Sequence, residues 1–143
     1  MERILISACL LGASCRYDGK CKPNEKVLEL MEKYELVPVC PEIFGGLPTP
    51  RTPAERVGSR VLTRDGADVT EQYEHGAAEA LRLAKLFGCR KAVLKEKSPS
   101  CGSGEIYDGS FSGALTPGFG VAAALLFENG IEVFGESEIE KLL

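Results

Sequence analysis

Short apolar runs alternate along this chain with longer stretches of helical periodicity. The first run, Arg3 to Ala8, reads Arg-Ile-Leu-Ile-Ser-Ala; it is too short for a helix, and it predicts a strand. A helix is expected from about Asn24, a good N-cap residue, to Tyr34, with Val27, Leu30, Met31 and Tyr34 on one face. Leu36 to Val39 predicts a second strand. Between Thr70 and Gly88 the positions Tyr73, Ala77, Ala80, Leu81 and Ala84 form an apolar stripe, which predicts a long second helix ended by the glycine. Lys91 to Lys95 is a third strand, about Gly118 to Glu128 a third helix stopped at Asn129-Gly130, and Glu132 to Phe134 a fourth strand. Ser137 is placed to cap a short last helix. Such alternation predicts an α/β fold: one compact domain over residues 1–143, built on a mainly parallel sheet of about four strands with flanking helices.

Loop length adds direction to this picture. The connections after the first three strands span roughly 15, 30 and 22 residues, against about 2 to 6 for ordinary strand-to-helix loops. The returns from helix to strand are short. All the excess chain therefore belongs to the carboxyl edge of the sheet, where open α/β folds bind ligands. Five of the six cysteines lie on those long connections. Cys9, Cys40 and Cys101 each follow a predicted strand, so three thiols distant in sequence are expected to meet there as an open metal or iron–sulfur site. Cys89 alone precedes a strand, on the opposite edge, and is expected to serve packing.

Composition narrows the function classes. The net charge is -4 and the pI about 5.2, which offers no broad field for phosphates; bulk nucleic-acid binding is disfavoured and a small substrate favoured. No apolar stretch approaches the ~20 residues of a membrane helix. Ile6-Ser7-Ala8-Cys9 superficially resembles a lipoprotein cleavage box, but Glu2 cancels Arg3 and the charged leader region is missing. A cytoplasmic location is expected, where clustered cysteines bind metal or do chemistry more often than they form disulfides.

Ser7-Ala8-Cys9-Leu10-Leu11-Gly12, Arg16-Tyr17-Asp18-Gly19, Val39-Cys40-Pro41-Glu42, Gly45-Gly46-Leu47-Pro48-Thr49-Pro50-Arg51, the run from Leu94 to Gly102 around Ser98-Pro99-Ser100-Cys101, and Tyr107-Asp108-Gly109 follow one another in order. Together they resemble a small bacterial and archaeal family, long grouped as a domain of unknown function, that includes thiouracil desulfurases. The resemblance covers almost the whole chain. It implies a 4Fe-4S cluster held by Cys9, Cys40 and Cys101, with the fourth iron open to a substrate sulfur. It also implies a catalytic role for Glu42, a catalytic position for Ser98 near the substrate, and a substrate-binding one for Ser100. The implied partner is a small thioated pyrimidine-like molecule.

The chemistry is coherent. A thiocarbonyl sulfur is a soft donor suited to an open iron, which would draw electron density from the adjoining ring carbon. Attack by water and loss of hydrosulfide then leave a carbonyl without net electron transfer. A cluster of net charge -1 beside Glu42 would push its pKa upward, toward acid–base work near neutrality. Glu55 and Glu96 compete for this role, although Glu55, after Pro53-Ala54, also reads as the start of a helical turn. Ser98 and Ser100 have a blander reading in local turn bonding. Arg16, Asp18, Arg51 and Asp108 are expected to pair across the loops as scaffold first, with substrate contact as their second reading. His75 is expected to be a solvated helical residue.

Two other function classes stay open. One is a structural or interaction-mediating zinc module using Cys9, Cys40, Cys101 and either Cys15 or Cys21, which closes the site to chemistry. The other is a metal-free thiol enzyme with Cys101 activated before Gly102. Cys9, Cys15 and Cys21 are spaced in no standard zinc or ferredoxin pattern.

Overall fold

The computed structural model describes residues 1–20 and 23–143. Strand β1 (Glu2–Ser7) leads through helix α1 (Glu25–Leu30) to β2 (Tyr34–Val39). A short helix α2 (Pro41–Phe44) and a hairpin of β3 (Ala54–Val57) and β4 (Arg60–Thr63) precede the long helix α3 (Thr70–Leu86). Next come β5 (Lys91–Leu94), a second hairpin of β6 (Glu105–Tyr107) and β7 (Leu115–Pro117), helix α4 (Val121–Glu128) and β8 (Glu132–Gly135). A 3-10 helix, Glu136–Leu142, completes the order.

The main sheet is parallel throughout, in the order β2-β1-β5-β8. Strict alternation of side chains divides its two faces. Ile4, Ile6 and Val93 share one core with Val27, Leu30, Ile139 and Leu142, whereas Leu5, Ala92 and Leu94 share the other with Ala80, Ala84, Ala123 and Leu126. Helices α3 and α4 thus cover one face, and α1 with the terminal 3-10 helix covers the other. Pro38 sits in β2, an edge strand, where its missing N–H costs the ladder nothing. Strand order reverses between β1 and β5. That switch point opens a crevice beyond their carboxyl ends.

Several boundaries differ from expectation. Helix α1 ends at Leu30 because the next residues tighten, the N–H groups of Met31, Glu32 and Lys33 donating three residues back, and Tyr34 is already paired with Glu2 in the sheet. Helix α4 begins at Val121, since Pro117 is still paired in β7 and Gly120 is the N-cap. Ser137 lies inside the last 3-10 helix rather than capping it; Glu138 turns back instead to accept the Gly135 N–H at 3.1 Å. Helix α2 and both hairpins were not expected. No helix among the described residues is long and apolar enough to cross a membrane.

Candidate active site

The three long connections wall a cleft of about 480 Å³ at the carboxyl edge. Cys9, in the 3-10 turn Ala8–Leu11 after β1, Cys40, the N-cap of α2 after β2, and Cys101, in the turn after β5, all line it. At the switch point, Ser7 Oγ accepts the Lys95 N–H at 2.9 Å and so ties the ends of β1 and β5 together. Close backbone approaches set the other two thiols. A Cβ on Gly76 of α3 would lie 1.7 Å from the Pro41 carbonyl oxygen, and one on Gly120 would lie 2.4 Å from the Ser100 carbonyl carbon. Only glycine allows α2 to lie on α3, and the Cys101 turn on the start of α4.

Cys15 also reaches the cleft. Its thiol lies against those of Cys40 and Cys9; the bond with Cys40 lowers its pKa, but Cys9 and burial together raise it further. Cys40 is pushed up by its bond with Cys15 and by burial. Burial pushes Cys101 up to about 12, against the Ser7 hydroxyl, which favours the thiolate. Desolvated thiols of this kind hold their protons until a cation replaces them. Among the described residues no three His, Cys, Asp or Glu side chains converge tightly enough to hold a single metal ion; the thiols surround a cavity rather than a point. Cys21 lies outside the described residues, and Cys89 is buried at the other edge.

Glu42 lines the same cleft and is firmly held. Its Oε2 accepts Arg51 Nε at 2.9 Å and a second bond from Nη2, while Oε1 accepts the Tyr73 hydroxyl at 3.1 Å. Side-chain exposure is 14% for Glu42 and 7% for Arg51. Burial first, and the neighbouring Glu42 charge second, push the Tyr73 phenol above its ordinary range.

Ser98 lines the cleft as well, and its Oγ accepts the N–H groups of Ser100 at 3.0 Å and Cys101 at 3.1 Å. Both lone pairs are thereby used, leaving the O–H as a donor. Ser100 is buried behind the wall, and its Oγ has no hydrogen-bond partner among the described residues.

The competing carboxylates have other tasks. Glu55 does not begin a helical turn: it lies in β3, paired with Leu62 across a hairpin that Gly58 closes at φ 63°. Its Oε1 accepts the N–H groups of Gly109 at 3.0 Å and Phe111 at 3.1 Å, joining the two hairpins over the cleft. Glu96 accepts the Ser137 N–H. The expected pairing of Arg16, Asp18, Arg51 and Asp108 with one another does not occur. Asp18 and Asp108 bond their own turns, at Lys20 and Ser110, because an Asp carboxylate reaches an N–H two residues on more easily than a distant side chain. Arg51 goes to Glu42. His75 is exposed on α3, as expected.

Arg51 as the partner of Glu42, and Tyr73, were not anticipated. The clue to Tyr73 was a lone phenol in an otherwise aliphatic stripe, since a buried Tyr O–H must find an acceptor.

The sequence model of the 2-thiouracil desulfurase family matches residues 4–138. The chain is 45% identical to the uncharacterized protein YbbK of Bacillus subtilis (strain 168), over 98% of this chain and 99% of that protein. It is also similar to the solved structure of a [4Fe-4S]-dependent thiouracil desulfidase, TudS, with a TM-score of 0.94 and 48% identity, covering 99% of this chain and 95% of the other.

Proposed function

The chain belongs to the 2-thiouracil desulfurase family, and we propose from that premise that it replaces the thiocarbonyl sulfur of a small thiouracil-like molecule with oxygen from water. Sulfur leaves as hydrosulfide, with no net electron transfer. Residues 1–143 act as one desulfurase-like α/β domain, and the reducing cytoplasm suits its free thiols.

The chain's residues suit an iron–sulfur cofactor: the donors are soft thiols, they border a cavity, and the buried Ser100 Oγ beside Cys101 lacks a partner. In this reading Cys9, Cys40 and Cys101 hold a 4Fe-4S cluster and leave one iron without a protein ligand. When bound, the cluster supplies a soft Lewis acid for the thiocarbonyl sulfur. Glu42 moves the proton of the attacking water. The Ser98 O–H, its lone pairs already engaged, donates to the substrate, and Ser100 supports the substrate from behind the turn. The observation that carries this reading is the convergence on one cleft of thiols from three strand ends together with Glu42.

Anaerobic reconstitution with iron and sulfide tests it. About four iron atoms per chain are expected; Cys9→Ala, Cys40→Ala and Cys101→Ala each lose most of them, and Cys89→Ala does not. Release of hydrosulfide from 2-thiouracil by the loaded parent is the companion result. Equal iron in all four variants rejects the ligand set, and tight zinc in place of iron favours a closed structural site.

A further inference from the structure

The Glu42 carboxylate is gripped from outside its own helix. A carboxylate offers about four lone-pair positions; Arg51 occupies two on Oε2 and Tyr73 one on Oε1. One position, on Oε1, is left. Arg51 has nothing further to give: its remaining N–H groups go to the carbonyls of Cys15 at 2.9 Å and Pro48 at 3.1 Å and to Thr49 Oγ1 at 3.1 Å, so all five donors are used. Neither partner exchanges protons near neutrality. The guanidinium stays charged, and burial keeps the Tyr73 phenol protonated.

Tyr73 therefore behaves as a fixed donor. It stands on α3, which α2 approaches closely only because Gly45 and Gly76 have no side chains; a Cβ on Gly45 would meet the Gln72 carbonyl oxygen at 2.0 Å. That contact brings the phenol within reach of Oε1. A rotated carboxylate would break the Tyr73 bond or one of the Arg51 bonds.

We propose that Tyr73 is a positioning residue for the reaction, turning the Glu42 carboxylate so that the single unoccupied lone pair of Oε1 serves the proton transfer. The proposal rests on Glu42 being the proton-transfer group. It adds a residue of α3, a helix that carries no cysteine, to the determinants of rate.

The test is a double-mutant cycle on anaerobically loaded protein of matched iron content, with 2-thiouracil as substrate. Tyr73→Phe is expected to keep its iron and to lower kcat roughly ten- to a hundredfold, the scale of one hydrogen bond to a charged group, with KM changed by less than about threefold. In a Glu42→Gln background the same change is expected to cost less than about threefold, because the orientation of an amide that transfers no proton is immaterial. Equal losses in both backgrounds, an effect confined to KM, or no effect would overturn the proposal. A parent-like Glu42→Gln would instead remove the reading of Glu42, and the proposal with it. A second readout needs no cluster: in urea unfolding of the apoprotein, Tyr73→Phe is expected to lower the midpoint in the parent but not in Glu42→Ala. Equal shifts there would show that the hydroxyl does not hold the carboxylate.

Discussion

Cys89 and Cys101 are equally withdrawn from solvent, each 6% exposed, yet they stand at opposite edges of one sheet. Cys89 occupies the short return from α3 to β5 and shares its core with Ala84, Ala92 and Ile131. Cys101 closes a turn after β5, with the hydroxyls of Ser7 and Ser100 beside it and the Glu42 carboxylate and the Cys40 thiol near. Burial raises both thiols. What separates them is company. At the amino edge the chain returns through a few residues, and the charges near Cys89, Arg3 and Glu2 at the start of β1, act on its thiol in opposite directions. At the carboxyl edge, long connections bring two hairpins, a short helix and a set of serines, glutamates and arginines around the thiols.

The largest effect expected from this difference falls on Glu42. Glu42→Gln preserves size and still accepts hydrogen bonds, but it cannot exchange a proton. In iron-matched holoenzyme it is expected to slow hydrosulfide release from 2-thiouracil by about 10²- to 10⁴-fold, the usual contribution of a general acid–base group. Glu55 provides the internal comparison, because it lines the same cleft while its Oε1 is taken by two backbone N–H groups. Glu55→Gln keeps an acceptor for them and is expected to cost less than about tenfold. A parent-like Glu42→Gln beside a crippled Glu55→Gln would exchange their roles.

These contrasts mark how far the site was legible in the chain. Periodicity disclosed the four parallel strands and their helices, and unequal loop lengths pointed to the correct edge, because both follow from local sequence spacing. Strand order did not follow from spacing. The meeting of Cys9, Cys40 and Cys101 came from topology, which already suggested a metal or iron–sulfur site, and only the motifs narrowed it to a 4Fe-4S cluster. Hidden were the contacts made by side chains across long separations. Arg51 had carboxylates at Glu42, Asp18 and Asp108 to choose from, and nothing local favoured the first. Tyr73 read as one more apolar position of α3. The two hairpins escaped because their strands have only three or four residues and little alternation to display.

A smaller effect is expected at Gly76, where space rather than charge is at stake. Its added Cβ would meet backbone, the Pro41 carbonyl oxygen at 1.7 Å and Gly45 N at 3.1 Å, so no side-chain rotation can relieve it. Helix α2 must move, taking Cys40 and Glu42 along. Gly76→Ala is expected to destabilise the fold by about 1–3 kcal/mol, the usual range for overpacking, and to reduce both iron content and turnover. Gly88, near the amino edge, is needed for another reason: its φ of 69° is costly for a residue with a Cβ, although nothing stands within 4 Å. Gly88→Ala should cost about 1 kcal/mol while leaving iron binding intact. Urea unfolding paired with iron analysis checks both, and loss of iron in Gly88→Ala alone would contradict the division between the edges.

The smallest effect is expected where a thiol has no chemistry to lose. Cys89→Ala removes one buried sulfur from a site bordered by Ala84 and Ala92, whose methyl groups cannot extend to fill the space. The loss combines a small transfer free energy with a small void, about 1 kcal/mol in all. It should register as a lower urea midpoint in the apoprotein. Iron per chain and thiouracil turnover should match the parent, because Cys89 sits at the end of the sheet away from the cleft, and its backbone N–H, donated to the Ala84 carbonyl at 2.8 Å, is unaffected by the substitution. If Cys89→Ala instead lost iron as Cys101→Ala is expected to, two equally buried thiols at opposite edges would be behaving alike, and position in the sheet would no longer explain which cysteines bind the cofactor.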